Sequence, residues 1–118
     1  MITALKSIAN RLRGTSSKLT TVEVLERALE LLGPDGKYWV NSLPMRTCDF
    51  CVVTAVSAAC PTYSMAPALA KIREAAGLSK HAAVDIWNDA PERTFPEVRA
   101  AFLKAIELAK AEQEAAHV

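Results

Sequence analysis

Residues 49–60 read DFCVVTAVSAAC, a stretch dominated by small and apolar side chains. These side chains recur at spacings of three and four residues, which is the period of an α-helix. They are Cys51, Val52, Ala55, Val56 and Ala59, with Ser57 and Ala58 beside them. Small side chains let neighbouring backbones approach closely, and Pro61 cannot continue a helix. The pattern predicts a helix that runs to about Cys60 and lies at the centre of a helical core.

A second helix is expected before this stretch. Thr20 and Glu23 have the spacing of a capping box, and apolar residues then recur on one face up to Leu32. Gly33-Pro34 ends the pattern, because glycine accepts a left-handed conformation and proline cannot extend the hydrogen-bond ladder. The sequence predicts a helix over residues 21–32, then a turn with at most a short β element near residues 37–41.

Two more helical patterns follow. One begins near Pro67, which is tolerated in a first turn, and stops at Gly77. The other is short, with Ser79 as its expected cap and Asn88 at its end. Its expected inward-facing residues are Ala82, Ala83, Ile86 and Trp87.

The last pattern starts at a second capping box, formed by Thr94 and Glu97, and keeps an apolar stripe to Ala109. From Lys110 the stripe is lost, so the tail is expected to fray. Together these segments predict an all-α, bundle-like fold of five to six helices.

Length and charge limit the organisation and the partners. The chain has 118 residues, which suits one domain of the usual ~100–200 residues. We expect a helical core over residues 20–110, preceded by a basic amphipathic helix and linker over 1–19 and followed by a tail over 111–118. A net charge of +1 disfavours nucleic acid, and the absence of a run of ~20 apolar residues disfavours a membrane span.

The N-terminal segment has an apolar stripe, Ile2, Leu5, Ile8, Ala9 and Leu12, and four cations before the first acidic residue, Glu23. Docking against the domain or against a partner explains such a segment best. Membrane-surface binding and a targeting role are the alternatives. Three cysteines cannot all pair within one chain, and no secretory signal is visible, so a bacterial cytoplasm is expected.

Cys48 and Cys51 form a C-x-x-C motif, which serves redox chemistry or zinc binding in other proteins. Redox use lacks the usual preceding strand, and a zinc site lacks a second close pair of ligands. Nucleophilic catalysis by Cys51 with His81 as base has no supporting motif. We therefore expect no metal, no cofactor and no catalytic residue, and interpret Cys51 as a small buried apolar side chain.

The densest polar cluster is Trp87-Asn88-Asp89-Ala90-Pro91-Glu92-Arg93-Thr94, here called the corner. Each member has a structural use, including Asn88 as a left-handed helix cap and Thr94 as the cap of the next helix. Polar residues on a rigid loop also suit a binding site. The candidate ligand-binding residues are Asp49, Cys51, Asn88, Asp89 and Arg93.

Residues 49–59 and the corner, followed by Glu97-Val98, resemble an uncharacterised family of small helical proteins from actinobacteria, related bacteria and their phages. The resemblance covers about Thr20 to Ala109. It implies the helical fold and a phage or mobile-element setting. It transfers no catalytic residue, because the family has no assigned activity.

These observations favour a non-enzymatic protein–protein interaction module, such as a phage accessory factor that binds and inhibits or redirects a host protein. The expected contact residues are Leu5, Ile8, Arg11, Leu12, Tyr38 and Trp39, since aromatic side chains are favoured at interfaces. A homo-oligomer remains open. The alternative is a small-molecule or nucleotide-derivative binder, or a small hydrolase, that uses Asn88, Asp89 and Arg93 of the corner.

Overall fold

The computed structural model describes residues 19–41, 49–60 and 64–116. Within these ranges the chain forms five α-helices: α1 (Thr21–Leu32), α2 (Val52–Ala59), α3 (Ala66–Ala75), α4 (Val84–Asn88) and α5 (Phe95–Ala116). The described residues contain no strand beyond an isolated parallel bridge between Trp39 and Phe50. The all-α prediction and the short β element near residues 37–41 are confirmed.

Local signals explain both ends of α1. The Thr20 hydroxyl accepts a hydrogen bond from the Glu23 N–H at 3.1 Å, and the Glu23 carboxylate accepts one from the Thr20 N–H at 2.9 Å. Gly33 ends the helix with φ of 92°, a conformation that few other residues adopt at low cost. The predicted capping box and glycine stop are confirmed.

Helix α1 lies between the other long elements. It packs against α2 and against α5, and α3 packs mainly on α5. Leu25, Ala28 and Leu32 of α1 are fully buried. The prediction that α2 occupies the centre was too strong, because its Thr54, Ser57 and Ala58 face solvent. Helix α2 buries a single face, formed by Val52, Ala55, Val56 and Ala59.

Helix α5 buries the predicted stripe from Phe95 to Ala109, with Phe102 the largest fully buried side chain. The helix continues to Ala116, beyond the point where the stripe ends at Ala109. Residues 110–116 are all exposed and rich in good helix formers, which explains a helical backbone without a buried face.

The register of α4 differs from the prediction. The helix starts at Val84, and its cap residue Ala83 makes no side-chain hydrogen bond, so Ser79 is not the cap. Val84 and Asn88 face the core, whereas Ile86 is 72% exposed. A helix of five residues is too short for its apolar spacing to identify the buried face, which explains the error.

Candidate functional site

Asn88 is a buried polar residue at the meeting point of three chain segments. Its side chain is fully buried. The amide oxygen accepts hydrogen bonds from the Trp39 indole N–H at 2.8 Å and from the Val52 backbone N–H at 3.0 Å. The amide nitrogen donates to the Val40 carbonyl at 2.9 Å and to the Asp89 carboxylate at 3.0 Å. An amide group has two donors and two acceptor positions, so Asn88 is fully used inside the protein.

These bonds hold the loop after α1 against the start of α2. The same two segments pair directly, because the Val40 N–H donates to the Phe50 carbonyl at 2.9 Å and the Phe50 N–H to the Tyr38 carbonyl at 2.6 Å. The Val52 N–H is one of the first four of α2, which have no partner within the helix. Asn88 therefore supplies to α2 a cap that comes from α4.

The prediction that Asn88 is a left-handed helix cap is wrong. In the described part of the chain, positive φ occurs only at glycines. Asn88 is the last residue of α4, and its side chain points into the protein rather than back onto its own helix end. The sequence places Asn88 at a junction but does not indicate its partners Trp39, Val40 and Val52, because these are 36 to 49 positions away.

Arg93 fixes the other side of the corner. Its guanidinium lies over the Trp87 ring, with the central carbon 4.4 Å from the ring centroid. Its Nε donates to the Trp87 carbonyl at 2.9 Å, and a terminal nitrogen donates to the Glu97 carboxylate at 3.1 Å. Arg93 contributes its donors and its flat face to the architecture of the corner.

Glu97 joins the corner to α5. Its carboxylate accepts hydrogen bonds from the Thr94 backbone N–H at 3.0 Å and from the Thr94 hydroxyl at 3.2 Å. The hydrogen bond from the Thr94 N–H is the main reason why the pKa of the Glu97 carboxyl lies below its usual value, and the Arg93 charge acts in the same direction. Of the predicted capping box, the Glu97 half is therefore present, whereas the Thr94 hydroxyl donates to the same carboxylate instead of accepting from the Glu97 N–H.

Cys51 is a helix cap rather than a buried apolar side chain. It is half-buried, and its sulfur accepts from the Thr54 N–H at 3.5 Å. The Thr54 hydroxyl in turn accepts from the Cys51 N–H at 2.9 Å. Cys60, which directly follows α2, has a buried thiol that donates to the Val56 carbonyl at 3.1 Å, and burial raises the pKa of this thiol. Cys48 lies outside the described residues.

The predicted ligand residues fall into two groups. Asp49 and Cys51 directly precede α2 in the chain, and Asn88 bonds both to Asp89 and to the N–H of Val52, the first residue of that helix. Arg93 instead contacts Trp87 and Glu97. His81 is exposed, and in the ranges that the structure describes no three His, Cys, Asp or Glu side chains are grouped so that they could hold a metal ion.

The predicted partner residues are only partly described. Trp39 is half-buried, its ring centroid lies 6.0 Å from that of Phe95, and its indole N–H is bonded to Asn88. Tyr38 is half-buried, with the Lys37 ammonium 5.5 Å from its ring centroid. Both the indole N–H and the ring of Trp39 are thus engaged in contacts within the protein. Leu5, Ile8, Arg11 and Leu12 lie outside the described residues.

One exposed surface, which includes part of the corner, was not predicted. Ile86, expected to be inward, is the more exposed of the two large apolar side chains that face solvent in the described chain; the other is Leu103, at 41%. Asp85, Asp89 and Glu92 are exposed in the same short segment. We call these four residues, Asp85, Ile86, Asp89 and Glu92, the Ile86 surface.

No helix of the described ranges is both long and apolar enough to span a membrane.

In a comparison with protein families, residues 16–108 match the model of DUF6197, a family of unknown function. This range includes α1 to α4, the whole corner and most of α5, and it agrees with the resemblance drawn from residues 49–59 and the corner. Comparisons with curated proteins and with solved structures found no match. Because the match spans most of the chain, this protein belongs to the family of unknown function DUF6197.

Proposed function

We propose that this domain is a non-enzymatic protein–protein interaction module that binds its partner through the Ile86 surface. The partner is a protein of the bacterial cytoplasm, and the chain acts as a phage or mobile-element accessory factor that inhibits or redirects it. The single observation that carries the proposal is the 72% exposure of Ile86 beside a corner whose distinctive side chains are bonded internally.

The internal bonding disfavours the ligand-binding alternative. Both donors and both acceptor positions of the Asn88 amide are used, and Arg93 is held by a ring, a carbonyl and a carboxylate. A small molecule that bound these groups would first have to break bonds that join α4 to the loop after α1 and to the start of α2. Replacing a satisfied buried hydrogen bond brings little net gain, so such a ligand would bind weakly.

The exposed isoleucine favours a protein partner. Fully burying an aliphatic side chain contributes about 1.5–3 kcal/mol, so Ile86 can act as an apolar anchor for a partner. Asp85, Asp89 and Glu92 are exposed in the same short segment of the chain and would supply the polar rim. An apolar centre with a charged rim is the usual composition of a protein interface.

Site-specific photo-crosslinking tests this proposal. A photoreactive benzoyl-phenylalanine replaces Ile86 in the full chain, which is expressed in the bacterium that carries it. The matched control has the same residue in place of Leu103, the other exposed apolar side chain. We expect one host protein to be crosslinked from position 86 and not from position 103, and Ile86→Ser to abolish its co-purification without lowering the Tm.

Several outcomes would contradict the proposal. The same set of proteins from both positions, or none from either, would show that the Ile86 surface has no specific partner. Crosslinks from position 86 between two copies of the chain would show that the partner is a second copy of the chain and not a host protein. A metabolite that raises the Tm, and loses this effect in Asp49→Asn, would support the ligand-binding alternative instead.

A further inference from the structure

The solvent-facing side of α5 has an exposed leucine between two charges of opposite sign. Leu103 is 41% exposed, and Arg99 and Glu107 are both exposed. The two charged residues lie one helical repeat before and one after Leu103, within the continuous helix Phe95–Ala116. At ~100° and ~1.5 Å per residue, the three side chains share an arc of ~80°, and each charged residue lies ~6 Å from Leu103 along the helix axis. We call Arg99, Leu103 and Glu107 the Leu103 stripe.

The two charges of the Leu103 stripe are available to a partner. Among the residues that the structure describes, the salt bridges are made by Lys71 and Arg93 with carboxylates, and none includes Arg99 or Glu107. Ala100, beside the stripe, is also exposed, and its small side chain lets a second helix approach closely.

The order of the charges fits a second copy of the same stripe. An interface between two identical chains related by a two-fold axis has to complement itself. If two copies of α5 pack antiparallel and centred on Leu103, Arg99 of each copy faces Glu107 of the other. Two ion pairs then flank the two leucines. A parallel arrangement would instead bring like charges together.

The Ile86 surface does not have this property. Between Val84 and Glu92 the chain has carboxylates but no lysine, arginine or histidine, so two copies of this segment would bring like charges together. The two exposed apolar side chains of the described chain therefore suit different partners. The charge pattern favours self-association at Leu103 and not at Ile86.

We propose that the chain forms a two-fold homodimer in which the Leu103 stripes of two copies pack antiparallel. The two Leu103 side chains pack against each other, and the reciprocal pairs of Arg99 with Glu107 fix the orientation and the register. The dimer does not depend on the proposed function, because it uses a different surface. One consequence does rest on the proposed function: each dimer presents two Ile86 surfaces, so a partner with two binding sites would be held more tightly.

Sedimentation equilibrium of the purified full-length chain tests the dimer. The contact is small, since one leucine of each copy and two exposed ion pairs form its centre, so we expect a dissociation constant between ~1 µM and ~1 mM. The mass should therefore rise with protein concentration from the 12.8 kDa of the monomer towards twice that value. A mass that remains that of the monomer at ~1 mM protein would overturn the proposal.

Charge reversal tests the antiparallel register. Arg99→Glu and Glu107→Arg should each raise the dissociation constant at least ~10-fold, because two attractions become two repulsions. A chain with both changes should dimerise like the parent, because each facing pair again joins opposite charges. Mixing the two single variants should give a heterodimer for the same reason. Failure of both combinations to restore the dimer would refute the proposed register.

Lys80→Glu is the matched control for a general charge effect. Lys80 is exposed between α3 and α4, and its reversal changes the net charge by the same amount as Arg99→Glu. The dissociation constant should stay within about two-fold of that of the parent, because salt screens distant charges. An equal weakening by Lys80→Glu and Arg99→Glu would overturn the proposal. Far-UV circular dichroism verifies that each variant is folded.

Serine substitutions separate the two exposed apolar positions. Leu103→Ser should weaken the dimer at least ~10-fold, because the two leucines lose their contact, whereas Ile86→Ser should leave the dimer unchanged. The opposite result would assign the dimer to the Ile86 surface and refute the proposal.

This inference and the proposed function fail separately, because sedimentation of the purified chain involves no host protein. A dimer without a host partner would leave this inference standing and refute the proposed function. A chain that stays monomeric but captures a host protein at position 86 would do the reverse. The photoreactive residue at position 103 should be crosslinked to a second copy of the chain, and it remains a control for capture of the host protein.

Discussion

Asn88→Ala removes only a few atoms, but it should lower the free energy of unfolding strongly. The side chain is fully buried and makes four hydrogen bonds. Its loss leaves the Val52 N–H without a partner at a fully buried residue, which costs about 1–3 kcal/mol. The bonds to Trp39 and Val40 add about 1 kcal/mol each, because those residues are half-buried and water can replace part of the loss.

The sum is about 3–5 kcal/mol, a large share of the about 5–15 kcal/mol that stabilises a typical domain. Urea unfolding followed by far-UV circular dichroism measures it directly. With a urea dependence of about 1–3 kcal/mol per molar, the midpoint should fall by about 2 M. The slope should stay the same, because the folded states of parent and variant bury similar surface.

Asn41 offers a matched control for this measurement. Its amide donates only at 3.3 and 3.5 Å, to the carbonyls of Ala90 and Arg93, and the residue is half-buried. Asn41→Ala removes the same atoms and should cost less than about 1 kcal/mol. The reasoning would be refuted if Asn88→Ala cost no more than Asn41→Ala, because the buried amide would then not hold the three segments together.

Three further predictions concern the caps and turns. Gly36→Ala should lower the free energy of unfolding in urea by more than about 2 kcal/mol, because φ is 74° and the new Cβ would lie 2.3 Å from the Phe95 ring. Gly77 has the same φ but open space around it, so Gly77→Ala should lower the free energy of unfolding by only about 1 kcal/mol. Cys51→Ser should raise stability by up to about 1 kcal/mol, because a hydroxyl caps a helix better than a thiol, and Cys51→Ala should lower stability. Thermal unfolding measures both changes, and equal effects of the two variants would contradict the capping role. Glu97 has a lowered pKa, so its contribution is present above the pKa of the unfolded chain and is lost as the pH falls through the lower folded value. Acid titration of the parent and Glu97→Gln should show a smaller loss of stability in the variant, and identical titrations would refute the assignment.

The sequence predicted those features that depend on neighbours in the chain. The capping box of Thr20 with Glu23 and the glycine stop at Gly33 are present as expected. Of the capping box of Thr94 with Glu97, the half supplied by the Glu97 carboxylate is present. The prediction that Cys51 is a buried apolar side chain was wrong. It was based on the common burial of free cysteine, whereas the position of Cys51 before Val52 makes it the cap of α2. The spacing of apolar residues alone does not distinguish these two roles.

Features that depend on distant partners were not predicted. Asn88 looks like a helix end in the local sequence, and only the tertiary structure brings Trp39, Val40 and Val52 to its side chain. The exposure of Ile86 follows from the same cause. Once Asn88 faces inward on a five-residue helix, the residue two positions before it has to point outward.

The contacts of Asn88 also change how the corner motif should be used in functional arguments. The helix at residues 52–59 receives one of its N-terminal caps from α4, so the two motifs that carry the family resemblance are parts of one structural unit. A sequence that retains both motifs thereby retains a way of folding, and sharing them says little about a common ligand. Differences of function within the family DUF6197 should therefore be sought in side chains that the corner leaves exposed, such as Ile86, and in segments outside the shared range, such as residues 1–15.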